Sequence, residues 1–520
     1  NFPFTVLTLA WGLSWIIHAN RGRPLWPPGL AACLFIGGLA FGVIRPTNTW
    51  DFPVYWLLGL LAVAGAAWVR HAGARRPFIL ETVLASALLF GAALALFQPY
   101  THWYAQGYND VEFWEGSHTT FTAYLTVHGL FLFTIVSWMV METVRWMAET
   151  PLSALAGLRA RLGTILTGLI LLVSMILVLT LVGYAIAPIV FLLLAWALLL
   201  FFRPGMPVLK RAVLVMTAAA LALTFMVEVI VLVGDIGRMN TVFKFYLQVW
   251  TLFGLSAAAA FAWVVAEVPF WSSRWRNAWV ALAALAVFSA ALYPLLATSA
   301  KIRDRMVSEA PHTLDGAAFV PYAVYYDQGS SFQMDEDYRA IRWMQDNVQG
   351  SPVIVEANLP PYRWGSRFTI FTGLPGVLGW DWHQRQQRLA AGDTPITRRA
   401  EEIADFYLTR SPQEALAFLH KYDVRYIIVG RLEAMYYATV MPCLPIDGGA
   451  RVTCDMTGRP VGMRVPEMPA VTCEPLDPQN PDAGLVCPTH GFDKFAGMTD
   501  SGALARVYED GQTAVYEVLK

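Results

Sequence analysis

Charge is what this sequence has least of. Only 14% of its 520 residues are Asp, Glu, Lys or Arg, against roughly 25% in an ordinary soluble domain, and 56% are hydrophobic. A simple soluble enzyme is excluded. A net charge of -1 gives no basic surplus, which argues against nucleic-acid binding. Gly-rich phosphate loops are missing as well. Neither IVEAN nor IIVGRLE, the two runs that read as buried strands, continues into G-x-G-x-x-G or G-x-x-x-x-G-K, so nucleotide binding there is not expected. The five cysteines form no C-x-x-C arm, the usual start of a zinc site. The chain opens at Asn1 in an apolar run without Met, basic n-region or cleavage site, so an upstream membrane segment is expected.

The scarcity of charge is uneven. Residues 1–300 hold 16 Lys+Arg and 10 Asp+Glu, a net of +6, whereas residues 301–520 hold 21 and 28, a net of -7. Two different solvents are implied. The sequence predicts a polytopic α-helical membrane domain over 1–299, followed by an extracytoplasmic α/β domain over 300–520 that carries a Cys-bearing loop at 441–491.

Spanning a hydrocarbon core takes about 20 mostly apolar residues in a helix. Ten runs qualify, near 4–19, 26–44, 54–69, 78–98, 121–141, 164–182, 185–202, 212–234, 245–266 and 278–297. Two of them, 4–19 and 54–69, are short and must tilt, break or extend into their flanks. Basic residues fall in every second loop: Arg21 and Arg23; Arg70, Arg75 and Arg76; Arg145, Arg159 and Arg161; Arg203, Lys210 and Arg211; Arg274 and Arg276. Those loops are expected inside the cell. The intervening ones, 45–53, 99–120, 183–184 and 235–244, are expected outside, together with both termini.

Cysteine gives a separate argument. Cys33 stands alone in a span, whereas Cys443, Cys454, Cys473 and Cys487 crowd a Pro- and Gly-rich stretch with little else to hold it. Two disulfides are expected, in any of three connectivities, and they require an oxidising outer compartment. Elsewhere in the second part, DEDYRAIRWMQDNV places Tyr338, Ile341, Met344 and Val348 on one helix face, and SPVIVEAN follows as a buried strand. PQEALAFLHKYDV leading into RYIIVG repeats the helix-to-strand unit. ARVYEDGQTAVYEV reads as two strands around an Asp510-Gly511 turn.

Ionisable residues inside spans are costly and often functional. Glu228 lies about 24 Å along a helix that starts inside, and His128 enters from outside to a similar depth. Glu228 and Asp235, seven apart, would share a helix face with Arg238 close by, and Glu228 is expected to pair with His128, Arg238 or Lys244. Arg238 and Lys244, in RMNTVFKFY, could hold a lipid phosphate or act as interfacial anchors. Asp51, followed by Pro53, reads as a helix cap. The loop at 99–120, rich in aromatics, carries His102, Asp110, Glu112, Glu115 and His118. Its carboxylates and histidines could bind a divalent cation or serve as acid and base in glycosyl transfer, or the loop could be an aromatic belt on the bilayer.

NTWDFPVYWLLG, TVHGLFLF, RMNTVFKFYLQVW and FTGLPGVLGWDWHQRQQR together resemble the YYY-motif membrane proteins of Chloroflexi and archaea, a domain family of unknown function. The namesake Tyr-Tyr-Tyr-x-Gly motif and its acidic loop would lie upstream of Asn1. The layout, many spans followed by an outer α/β domain, also resembles C-type glycosyltransferases, which move sugars from polyprenyl-phosphate carriers and keep an essential acid in their first outer loop. That resemblance implies a polyprenyl-phosphate sugar as ligand, with Asp110, Glu112, Glu115, His128 and Glu228 as catalytic candidates and His118, Asp235 and Asp51 as further polar groups. The alternative is a non-catalytic subunit or scaffold that joins other membrane subunits and binds a partner through its outer domain. A transporter ranks third, because it would want polar groups near the bilayer midplane and broken helices in paired positions, whereas Glu228 and His128 cluster toward one face.

Overall fold

Hydrocarbon offers no water to a peptide group, so each apolar run must close its hydrogen bonds within itself. All ten runs are helices: α1 Phe2–Asn20, α2 Pro27–Gly42, α3 Phe52–His71, α4 Arg75–Leu96, α5 Phe121–Glu149, α6 Leu162–Leu181, α7 Ala187–Phe201, α8 Val208–Val229, α9 Met239–Glu267 and α10 Ser273–Arg305. The computed structural model describes residues 2–22, 27–71, 74–104, 110–151, 161–327, 330–388, 392–438, 441–446, 451–455, 460–464, 474–475, 485–487 and 491–519. Among the described residues nine stretches are long and apolar enough to cross a membrane; α7, with 15 residues, is shorter. This is a multi-pass membrane protein. The two short runs extend into their flanks, reaching 19 residues in α1 and 20 in α3. The chain divides into two compact units, residues 1–103 with 108–298, and residues 104–107 with 299–520.

Local chemistry sets the helix ends. Thr120 precedes α5 with extended backbone, and its hydroxyl accepts from the Ala123 N–H at 3.3 Å. Between α6 and α7 the chain reverses at Gly183, whose φ of +104° is open to glycine alone among common residues. Pro188 then enters the first turn of α7. The helix expected over 212–234 stops at Val229. Residues Ile230–Leu232 (β2) instead pair antiparallel with Val111–Phe113 (β1).

Within the helical unit α8 packs on α7 and α9, α5 on α9, α1 on α3, and α2 on α4. Trp138, Leu221, Val249 and Phe253 belong to its larger core, while Trp11, Trp15, Phe41 and Leu89 belong to a smaller one. Neither α6 nor α10 buries a residue.

The second unit is built on a four-stranded sheet in the order β12-β13-β6-β5. A hairpin of β3 Val324–Asp327 and β4 Ser330–Gln333 precedes it, then α11 Asp335–Asn347, β5 Val353–Val355, α12 Thr394–Leu408, α13 Pro412–Lys421 and β6 Val424–Val429. α14 Asp493–Asp500, β12 Leu504–Asp510 and β13 Thr513–Val518 close it. β5 and β6 are parallel and the other neighbours antiparallel. Alternation along the strands splits the core into two layers. Ile354, Ile428 and Val515 meet Ile341 and Met344 of α11, whereas Val355 and Ile427 meet Phe406, Phe418, Leu419 and Phe495 from α12, α13 and α14. Tyr338, expected with the α11 face, packs against the second layer. The final hairpin turns through Gly511 and Gln512, with Gly511 at φ +57°.

The loop expected at 441–491 contains a second sheet in the order β10-β11-β7-β8-β9. Its strands are β7 Met441–Ile446, β8 Arg451–Asp455, β9 Pro460–Arg464, β10 Glu474–Pro475 and β11 Leu485–Cys487. Prolines and glycines at strand ends hide such short strands from a sequence reading. The backbone register sets Cys443 opposite Cys454. The side chains of Cys443, Cys454 and Cys487, and the whole of Cys473, lie outside the described residues, and the disulfide expectation with them.

Candidate functional site

The polar groups expected near the outer face gather where α5 begins, α8 ends and α9 begins. Pairing of β1 with β2 fixes the loop before α5 over the end of α8, with Val111 opposite Leu232 and Phe113 opposite Ile230. The Trp114 N–H extends that contact by donating to the Val229 carbonyl at 2.9 Å. His118 and Thr119 then fall directly on Glu228.

Glu228 is fully buried. Its carboxylate accepts from the Thr119 backbone N–H at 2.8 Å and from the Thr119 hydroxyl at 2.5 Å, and the Arg238 guanidinium lies 2.8 Å away. His118 Nδ1 sits 3.4 Å off without hydrogen-bond geometry, its ring against Tyr184 at 4.4 Å between centroids. Arg238 in turn donates to the Val227 carbonyl at 2.9 Å and to the Thr119 hydroxyl at 3.1 Å, with its guanidinium over the Trp114 ring. An ion pair with its donors and acceptors matched in this way is the arrangement in which a buried charge is tolerated.

His128 is not part of that pairing. Its ring is enclosed by Tyr124, Tyr246 and Phe253, with centroids 4.9, 5.1 and 5.6 Å away, and neither nitrogen has a hydrogen-bond partner among the described residues. The expected partnership with Glu228 fails because Thr119, from the loop, occupies the carboxylate first. Tyr124 extends the polar layer by bonding Thr224 at 3.0 Å.

Asp235 does not share a helix face with Glu228, since α8 ends between them. Its carboxylate instead takes the first amides of α9, Asn240 at 3.0 Å and Thr241 at 2.8 Å, plus the Thr241 hydroxyl at 2.7 Å. Burial works against its ionisation, but the hydrogen bonds from Thr241, Asn240 and Ile236 outweigh it and hold the carboxyl below its ordinary range. It is a helix cap. Asp51, expected to cap, reaches across to α9: its Oδ1 accepts from Asn48 at 2.9 Å and from Gln248 at 2.9 Å in a buried setting. Lys244 lies within electrostatic reach of both Asp235 and Asp51.

Asp110, Glu112 and Glu115 are exposed on and beside β1, and among the described residues none of their carboxylates joins an ion pair. They have free capacity for a ligand or a proton. No group of three or more His, Cys, Asp or Glu able to hold a metal occurs among the described residues, so the divalent-cation expectation finds no built cluster there.

Two buried charge clusters escaped the sequence reading. At the opposite end of α5, buried Glu142 meets Arg203, Lys210 and Arg145, while Arg203 also pairs with Glu149 and Arg145 with Glu267. In the second unit, Arg367 is wholly buried and holds Asp337 at 2.6 Å and Glu433 at 2.8 Å, with Glu356 at 4.0 Å. Glu356 directly follows β5 and Glu433 lies four residues past β6. Carboxylates just beyond two buried parallel strands were the available signal.

The crystal structure of the C-terminal globular domain of oligosaccharyltransferase from Archaeoglobus fulgidus is similar over 36% of this chain and 100% of that one, at 16% identity and a TM-score of 0.20. A score that low does not establish a shared fold. No curated protein matches the chain significantly. Residues 1–253, from α1 into α9, match the family described as uncharacterized membrane protein (DUF2298).

Proposed function

We propose that the protein is a glycosyltransferase-like membrane protein that takes a polyprenyl-phosphate-linked sugar at the membrane face where Glu228 lies, that this face is extracytoplasmic, and that the chain is of the YYY-motif type. One observation carries the reading. Three carboxylates without an ion pair among the described residues, Asp110, Glu112 and Glu115, ride on a loop anchored through Thr119 to buried Glu228, which Arg238 also holds, so acid and base groups have a rigid support at the interface. Arg238, over the Trp114 ring of the same loop, supplies positive charge for a phosphate, with Lys244 further along α9. Glu228 and His118 act as positioning residues, since Glu228 is spent on holding the loop. Asp110, Glu112 and Glu115 are the candidates for proton transfer.

A second reading is favoured by a specific feature: Arg238 is already matched by Glu228, and Lys244 has Asp51 and Asp235 in reach, so a phosphate would add charge to a balanced site. On that reading the chain is a membrane subunit whose α/β unit binds a partner. Transfer from a radiolabelled polyprenyl-phosphate hexose by the full chain in nanodiscs separates the two. The D110N, E112Q and E115Q triple variant is expected to lose transfer by about 100-fold or more while still retaining the lipid. Equal transfer in variant and parent removes the catalytic role of these carboxylates, and no transfer by the parent leaves the subunit reading in its place.

A further inference from the structure

A groove of about 540 Å³ runs between α1, α3 and α8, at the far end of α8 from Glu228. Its wall along α3 extends from Tyr55 to Val69, about 21 Å at helical rise, more than the roughly 15 Å depth of one leaflet. The lining is apolar apart from hydroxyls and one charged side chain, Arg211.

Small residues line the groove. A Cβ on Gly12 would sit 3.2 Å from Ala62, and one on Gly59 would run into the Phe41 ring, so both are required by helix contact. A Cβ on Gly65 would meet nothing within 4 Å. It faces the free volume.

Arg211 closes one end. Its neighbours at this end of the bundle have carboxylates: Arg145 has Glu267, Arg203 and Lys210 share Glu142, and Arg70 has Glu81. Among the described residues Arg211 has none. It donates to the Arg203 carbonyl at 3.2 Å and lies over the Phe201 ring, and its buried Nε has no partner. A cation left unmatched at a membrane interface, with a buried donor unused beside an apolar groove longer than a leaflet, is complementary to one chemistry: an acyl chain ending in a phosphate.

We propose that this groove binds an anionic phospholipid from the Arg-rich leaflet, one acyl chain lying between α1, α3 and α8 and the phosphate accepting from Arg211. The site is separate from the Glu228 end, since residues 211 and 228 are about 26 Å apart along α8.

The test uses the full chain reconstituted in phosphatidylcholine vesicles with and without phosphatidylglycerol, then extracted, with bound lipid counted by native mass spectrometry. The parent should retain phosphatidylglycerol in preference to phosphatidylcholine. Arg211→Gln should cut that preference by about fivefold while leaving acyl occupancy. Gly65→Leu, which fills the groove from α3, and Val215→Trp, which fills it from α8, should each lose both lipids with an unchanged melting temperature. Equal retention of the two lipids by the parent, or an unchanged preference in Arg211→Gln, overturns the headgroup assignment. Full occupancy in whichever groove-filling variant remains folded overturns the site.

Discussion

The helical unit and the α/β unit each set an arginine against a buried carboxylate, and they do so by opposite strategies. In the helical unit Arg238 is matched one to one by Glu228, at a helix end next to the interface. In the α/β unit Arg367 stands alone against Asp337, Glu433 and Glu356, all of them buried. The surplus carboxylates survive because backbone amides take up their charge: Phe368 and Thr369 donate to Glu356, and Ala357 and Gly430 to Glu433. Burial raises the pKa of Glu356 despite Arg367 and these bonds, whereas the Arg367 contacts overcome burial at Glu433 and lower it. A helix bundle gives its buried charge few loose amides, because its backbone is already paired. A sheet edge gives many, and can keep several acids around one cation.

The largest effect should come from removing the shared cation. Arg367→Met leaves Asp337 and Glu433 buried without a counter-charge and is expected to cost about 3–5 kcal/mol, read as loss of the α/β unit's unfolding transition in a urea titration of the full chain. Neutralising one acid, as in Glu433→Gln, should not restore it, because Asp337 remains unpaired.

The one-to-one pair should behave differently. Arg238→Gln alone is expected to lower the stability of the full chain in detergent by about 2–4 kcal/mol, and adding Glu228→Gln should recover most of the loss. If the double variant is no better than the single, the pair is not isolated and the contrast between the units fails.

Lys494 supplies a smaller, pH-dependent effect. Burial pushes it down to about 7, with its ammonium among Phe406, Phe492 and Phe495 and donating to the Tyr407 and Gly491 carbonyls. Its folded value is below the unfolded one, so the unfolded chain binds more protons between about pH 7 and 10.5 and stability rises with pH across that window. Lys494→Met should flatten the rise in melting temperature between pH 7 and 10. The smallest test concerns covalent links alone. Maleimide treatment of unreduced, denatured protein should label Cys33 only; reaction at Cys443, Cys454, Cys473 and Cys487 removes the expected disulfides.

Much of the fold was legible because its signals are long. Twenty apolar residues announce a span whatever their neighbours do, and all ten such runs are helices. The helix-to-strand units around residues 335–357 and 412–430 were legible because period and length agreed. The site was legible only as a list. Glu228, Arg238 and His118 come together, but through Thr119, which no pattern singles out, and through a β-ribbon that ends α8 five residues before 234. The Glu228–Asp235 relation failed on that ribbon, as seven-residue spacing has no meaning once the helix stops. The Arg367 cluster left only the carboxylates past β5 and β6 as a signal, because its four members come from positions 337, 356, 367 and 433 and only the fold brings them together.

The bundle also carries a built-in length. Polar groups are paired at both ends of α5, Tyr124 and Glu142, and at both ends of α8, Lys210 and Glu228, and each pair is 18 residues apart. That is about 27 Å in either helix, close to the roughly 27–30 Å of bilayer hydrocarbon. The helices cannot slide to suit another thickness, since a shift of one turn would drag an ion pair into lipid. The protein is therefore a ruler: a thicker bilayer must thin around it, and in a thinner one it must tilt.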